Sequence, residues 1–343
     1  MNKQNVGHRF VASMLLVAIC NPIYALANTS ATIETDNPGI VAFVEGRYPA
    51  AKDYFAEQLL KPAQKNDALI YLSRIAVDTG DIETAVDHIE AALTLEPNTV
   101  EEVVLAGDIY CNQAQQSSMF SALGLAKKCI AQYDAAVKTF PDDTNAIVAA
   151  MRFYLEAPGF AGGSSTKGKA LLAGLDKLSP ESANTYRVFL LEREGKKDAA
   201  IALADELSQQ EFQSARNHYE LARFYRDKQF YAKAKSLFES LLLRPATVQD
   251  KWYVNDSLLQ AGEILLAQQQ DIERSIALLE EYKSKNSNPH DQHYFWSTWS
   301  LAQAYKANGN KDKYLQLVNQ IQAEDYKKNT DFAKRFDAGI KTH

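Results

Sequence analysis

Paired apolar stripes at helical spacing recur along this chain, and they limit its fold more than any other feature. In "HYELARFYRDKQFYAKAKSLFESLLLRP", residues 218–245, Leu221, Ala222 and Tyr225 share one helix face, and Ala234, Phe238 and Leu241 share the next. Small residues such as Ala222 and Ala234 let two helix axes approach closely, and Tyr225 and Phe238 fill the space beside the crossing. "LIYLSRIAVDTGDIETAVDHIEAALTLEP" repeats the arrangement with Leu69, Leu72, Ser73, Ala76, Gly80, Ala85, Ile89, Ala92 and Pro97. "WSLAQAYKANGNKDKYLQLVNQI" does so with Leu301, Ala302, Tyr305, Gly309, Tyr314, Val318 and Ile321. Weaker copies use Ala261, Gly262 and Leu265 with Leu279, then Phe189 and Leu190 with Ala200 and Ala204, and at the N-terminal end Gly46, Ala51 and Phe55.

These spacings resemble the tetratricopeptide repeat, in which two antiparallel helices recur about every 34 residues and a proline often closes the second. The resemblance implies an all-α fold: a helical-hairpin solenoid wound as a right-handed superhelix, with about eight degenerate repeats over residues 37–325. A hairpin of this kind has two apolar faces and cannot bury both alone, so neighbouring hairpins must stack. One solenoid spanning 28–343 is therefore expected. Tyr326, Phe332 and Phe336, with Lys327, Lys328, Lys334 and Arg335, mark residues 326–343 as a capping helix with one polar face. Composition agrees: 46% of residues are apolar and 23% are charged, with only 15 glycines and 10 prolines.

Residues 1–27 have the layout of a secretory signal. Lys3 and Arg9 form a positive start, Phe10 to Cys20 is an apolar run too short to span a bilayer comfortably, and Ala25-Leu26-Ala27 is a small-x-small cleavage pattern. The alternatives are an uncleaved anchor or a lipid-modified Cys20, although Ile19 stands where a small residue should precede such a cysteine. Cleavage leaves 35 basic against 43 acidic residues, a formal charge of −8 in place of −6. That balance disfavours nucleic-acid binding, which needs a basic surface against phosphate. An exported chain without a transmembrane segment is expected, periplasmic if the host is Gram-negative. Its oligomeric state cannot be read from the sequence.

"PGFAGGSSTKGKALLAGL", residues 158–175, contains Gly163, Gly168 and Lys169 in the order of a phosphate-binding loop. A true loop of that kind follows a strand, and a Ser or Thr after its Lys holds Mg²⁺. Here the pattern of Ile147, Ala150, Met151 and Tyr154 predicts a preceding helix, and Ala170 replaces the hydroxyl. The stretch is better accounted for as an enlarged turn inside a repeat. Pro158 ends one helix, the glycines supply the turn, and Ser164, Ser165 or Thr166 caps the next. The new helix start, with Lys167 and Lys169 nearby, leaves weak anion binding open.

Cys111 and Cys129 flank a second insertion, "NQAQQSSMFSALG", and export favours a disulfide between them over two buried thiols. His290, Asp291 and His293 stand close in sequence, but three ligands at one helix start make a poor metal site. A Pro289–Asp291 helix start is the alternative. No metal, cofactor or catalytic motif is expected, and an enzyme using the glycine turn is the remotest function.

In the repeats it resembles, first helices line a concave surface. Carrying those positions over residue by residue selects Arg74, Arg152, Arg187, Tyr219, Arg223, Arg226, Trp296 and Trp299. Arginine and large aromatics suit the anchoring of a partner. Arg152 with Glu156, and Arg223 with Asp227, stand four apart and are equally consistent with ordinary surface pairs. The expected function is a scaffold or adaptor that holds a protein or peptide, of acidic character, in the concave groove. The rival is a solute- or lipid-binding accessory protein of a transport system.

Overall fold

The structure, a computed structural model, describes residues 37–95, 98–244, 247–248, 250–286 and 293–341. The expected signal segment, Pro97, His290 and Asp291 lie outside these residues. Among the described residues there are seventeen α-helices and no strand. The first eight helices pair as α1 (Pro38–Val44) with α2 (Tyr48–Gln58), α3 (Lys65–Asp78) with α4 (Ile82–Leu93), α5 (Val100–Gln116) with α6 (Met119–Thr139), and α7 (Thr144–Glu156) with α8 (Ser165–Leu178). α9 (Pro180–Arg193) and α10 (Lys197–Leu207) follow, and the next six pair as α11 (Ala215–Asp227) with α12 (Tyr231–Leu241), α13 (Lys251–Ala267) with α14 (Ile272–Lys285), and α15 (Tyr294–Ala307) with α16 (Lys311–Ala323). α17 (Thr330–Lys341) follows alone. Among the described residues α5 packs on α6, α7 on α8, α11 on α12, α13 on α14 and α15 on α16, hairpins of the kind the repeat pattern predicts.

Local signals set the helix ends. Asn37 caps α1 and Asp143 caps α7 through their side-chain oxygens, and Thr99 with Glu102 closes a reciprocal capping box on α5. Gly80 and Gly309 turn the chain between paired helices at φ 74° and 77°, a region closed to most side chains. The fourth residue of most second helices is small: Ala51, Ala85, Gly168, Ala200, Ala234 and Ser275. All six are buried, and Gly168, Ala234 and Ser275 belong to helices packed on the first helix of their hairpin. At the Ser275 crossing the hydroxyl donates to Gly262 O at 2.8 Å, so the packed contact is also hydrogen-bonded.

The described residues form two compact units, one of 58–74 and 82–190, the other of 37–57, 75–81 and 191–341, with borders inside α2, α3 and α9. In the first, Ile147, Val148, Met151 and Leu155 of α7 pack with Leu172 and Leu175 of α8 and Ala183 and Tyr186 of α9. In the second, Leu221, Ala222 and Tyr225 meet Ala234, Phe238 and Leu241, all fully buried, as their spacing predicts. The second unit also buries a charge. Lys251 Nζ lies 2.9 Å from Asp78 Oδ2, donates to Tyr48 Oη at 2.8 Å, and stands over the Phe43 ring at 4.0 Å. A buried ammonium is tolerable only with such partners.

The single helix caps the second unit. Phe332 and Phe336 of α17 are fully buried, Phe332 edge-to-face with Trp296 and Phe336 with Trp299.

Candidate partner-binding face

Three of the first helices, α5, α7 and α11, are covered nearly all round. Every residue of Glu102–Asn112 in α5, Asn145–Leu155 in α7 and Asn217–Tyr225 in α11 is buried. Each of these helices touches its own second helix and further helices of its unit: α5 meets α4, α6 and α7, and α11 meets α12 and α13. Their polar side chains are therefore held by internal partners, as burial demands.

The richest set lies on α11, α13 and α15. Tyr219, Arg223 and Arg226 recur at helical spacing on α11, and Trp252, Asp256, Gln260 and Glu263 do so on α13. The Tyr219 hydroxyl donates to Asp256 Oδ2 at 2.5 Å, and Gln260 Nε2 donates to the same oxygen at 2.9 Å. Arg226 in turn donates to Gln260 Oε1. One step on, Ser300 of α15 donates to Glu263 at 2.7 Å. The result is a ladder of hydrogen bonds from α11 across α13 to α15. Trp252 flanks it, edge-on to Tyr219 at 5.2 Å.

Burial governs the electrostatics of this ladder. It is the main cause holding the Tyr219 phenol well above its ordinary range, and the Asp256 carboxylate adds to it. Burial likewise raises the Glu263 carboxyl, opposed by the bond from Ser300 and the charge of Arg226. Two cations face acids in place: Arg223 pairs with Glu220 at 2.7 Å, and Arg226 with Asp227 at 2.7 Å. Such a face presents donors and acceptors in near-balanced charge rather than a bare basic surface.

The selected residues thus have different surroundings. Tyr219 is 1% exposed and serves the ladder from inside. Arg223 is buried beside Glu220, whereas the Arg226 side chain keeps 26% of its exposure. In the first unit Arg74 is 1% exposed, pairs with Glu101 and stacks on Tyr71, and Arg152 is buried with Glu156 Oε1 at 3.4 Å. Arg187 is the most open of the five arginines, with 34% of its side chain exposed, although it meets Asp176 at 2.5 Å and Asn184. Trp296 and Trp299 are half-buried against α17, and a Cβ on Gly339 would come within 2.7 Å of the Trp299 ring. Asp256, Gln260, Glu263 and Ser300 are additions from the structure. Asp256, Gln260 and Glu263 stand at helical spacing on α13, which matches the repeat weakly, and nothing in the α15 pattern singles out Ser300.

The glycine-rich stretch follows helix α7. Gly162 adopts φ 105°, and a Cβ on Gly163 would lie 1.8 Å from Ala157 O, so both positions need glycine. Ser164 caps α8, and Lys167 Nζ donates to Tyr154 Oη at 2.9 Å. Gly168 is the small residue of a helix crossing. Elsewhere, the Sγ atoms of Cys111 and Cys129 are joined at 2.06 Å. His293 of the histidine pair lies just before α15.

No protein-family model matches the sequence, and no curated protein matches it. Among solved structures, yeast Tom70 is similar with a TM-score of 0.57 at 16% identity, covering 94% of this chain and 68% of Tom70. A tetratricopeptide repeat protein of Parabacteroides merdae gives 0.46 at 15% identity, over 78% of this chain and 95% of that one. Human IFIT1, solved as a dimer with PPP-AAAA, gives 0.44 at 14%, over 83% of this chain and 66% of its own. With successive helix hairpins, most of them crossing at a small residue, and a likeness to Tom70 over 94% of this chain, the chain has an all-α, tetratricopeptide-type repeat fold.

Proposed function

We propose that this chain is an exported scaffold that holds a protein or peptide segment along the first helices of its repeats. The observation that carries the proposal is the ladder on α11, α13 and α15: buried Tyr219 and Asp256 hold it from inside, and its half-buried members Arg226, Gln260, Glu263 and Ser300 stand at repeat spacing. Polypeptide needs donors and acceptors along its length, and a rigid helical support places them without further ordering cost. A small solute or lipid would instead call for an apolar chamber, so the polar ladder favours the scaffold. Arg187 and Arg226 keep exposed area, and a carboxylate of an acidic partner would compete with Asp176 and Asp227 for them.

Support for export comes from Lys3, Arg9, the apolar run to Cys20 and the Ala25-Leu26-Ala27 site, together with the Cys111–Cys129 bridge. Cell fractionation with mass determination tests it: a chain starting near Asn28 outside the cytoplasm is the expected result. The binding face is tested by a photo-crosslinking residue at Arg226, with the partly exposed Lys235 of α12 as control. Adducts should form at the first position alone, and the purified partner should bind the Arg226→Ala variant at least tenfold more weakly. Equal binding by a folded variant places the partner on another surface.

A further inference from the structure

Two departures from the repeat template fall in successive hairpins of the first unit. α6 has 21 residues, whereas the other second helices have 11 to 14. Cys129, fully buried, occupies the crossing position held by the fourth residue elsewhere, yet it is the eleventh residue of α6. The excess at the N-terminal end is two turns, about 10 Å at helical rise. The α5–α6 hairpin therefore projects past its crossing, with the disulfide at its root. Near the tip Phe120 is 90% exposed, and a Cβ on Gly124, one turn further on, would meet nothing within 4 Å.

The second departure is the glycine turn between α7 and α8, where Phe160 is 77% exposed. Turns inside successive hairpins lie on the same edge of a stacked repeat. The glycine turn packs on the body of α6: a Cβ on Gly162 would sit 3.9 Å from Ile130. Ile130 is ten residues from Phe120, about 15 Å along the helix.

Charge sets this edge apart. In a chain of net charge −6, no acid occurs between Asp108 and Asp134 or between Glu156 and Asp176. The same windows contain Lys127, Lys128, Lys167 and Lys169. All four lysines are exposed; Lys128 also meets Glu90 at 3.6 Å and Lys167 meets Tyr154. Glu90 and Asp134 are acids that reach this edge, at Lys128 and at the Tyr154–Lys167 pair, while Lys127 and Lys169 add exposed positive charge. Solvent-facing phenylalanines with such lysines complement an apolar layer under anionic headgroups.

We propose that this edge is a membrane-contact surface. Phe120 and Phe160 enter the headgroup boundary of an anionic bilayer, and Lys127 and Lys169 lie at phosphate level. The disulfide keeps the α5–α6 tip from folding back. The lysine arrangement favours lipid over an apolar pocket of a protein, because such a pocket gains nothing from anionic surroundings.

Vesicle flotation tests this with the chain from residue 28, which keeps every described residue and drops the apolar run at 10–20. Co-flotation is expected with vesicles of phosphatidylethanolamine and phosphatidylglycerol. It should fall at least tenfold with phosphatidylcholine alone, or for the Phe120→Ser, Phe160→Ser variant. Lys127→Gln with Lys169→Gln should reduce it severalfold and remove most of its salt dependence. Both aromatic positions are exposed, so circular dichroism of the variants should match the parent. Failure of the parent to float, or equal flotation of the aromatic variant, overturns the proposal. So does a Phe120-dependent dimer in light scattering without vesicle binding, which would make the edge a contact between two copies.

Discussion

Gly168 of α8 lies so close to Leu155 of α7 that an added Cβ would stand 2.5 Å from Leu155 Cδ2. The glycine that completes the phosphate-loop pattern therefore fills the small-residue position at a helix crossing. Gly168→Val should destabilise by about 1–3 kcal/mol through overpacking. Gly168→Ala should cost less, because the end of Leu155 can shift and alanine regains helix propensity. Thermal unfolding measures both. The neighbouring Lys169 is exposed, so Lys169→Ala should leave the melting temperature unchanged. Titration with Mg-ATP or Mg-GTP should give no specific heat in either background. A micromolar dissociation constant abolished by Lys169→Ala would overturn this account of the turn.

The same crossing shows what the sequence makes legible. Ala234 stands where two helix axes meet, and a small residue there followed by large apolar ones is visible from spacing alone. The hairpins and the capping helix follow from it. The ladder was less visible, because spacing on one helix does not tell which neighbour its polar side meets. Tyr219 and Arg226 were selected, but their partners Asp256 and Gln260 come from a weakly matching helix. Trp296 and Trp299 illustrate a different limit. Their exposed-looking face on α15 is engaged by α17, a contact set by where the chain ends its stack and not by any repeat position.

The bridge between Cys111 and Cys129 spans a sequence separation of 18. A loop of that length stabilises by about 3 kcal/mol in the chain-entropy account. Reduction, or Cys111→Ala with Cys129→Ala, should lower the unfolding midpoint accordingly. Alkylation without reduction, followed by mass spectrometry, checks the bond itself. Two alkylated thiols in chain isolated from an oxidising compartment would show that the bond does not form.

His218 gives the second unit an acid sensitivity. Burial, with a smaller push from the Arg244 guanidinium, lowers its imidazole from 6.5 to about 4. The ring stacks on Phe212 at 4.7 Å and shares a hydrogen bond with Ser240 Oγ at 2.9 Å. Between those two pH values the unfolded chain binds a proton that the folded chain does not. Stability should fall as pH drops from 6.5 to 4, by about 3 kcal/mol for this group, with no further loss from it below that window. Urea unfolding at pH 7 and pH 4.5 measures the difference, and His218→Gln should shrink it. An unchanged difference in that variant would assign the acid sensitivity to other groups.

The Tyr219–Asp256 bond separates holding the ladder in shape from holding a partner. Asp256 is buried and accepts from both Tyr219 and Gln260, so Tyr219→Phe removes one donor from a carboxylate that water cannot readily reach. The expected cost is about 1–3 kcal/mol. Asp256→Asn keeps one acceptor oxygen and adds an amide donor, and it should cost less than Asp256→Ala. Arg226→Ala removes a partly exposed side chain and its bond to Gln260, and should cost about 0.5–1.5 kcal/mol. Partner binding should run the opposite way, with a large loss for Arg226→Ala and little for a folded Tyr219→Phe. The two measurements together are a urea midpoint and a dissociation constant for the crosslinked partner. If Tyr219→Phe weakens binding as much as Arg226→Ala at full helicity, the phenol itself meets the partner, and the face must open when the partner docks.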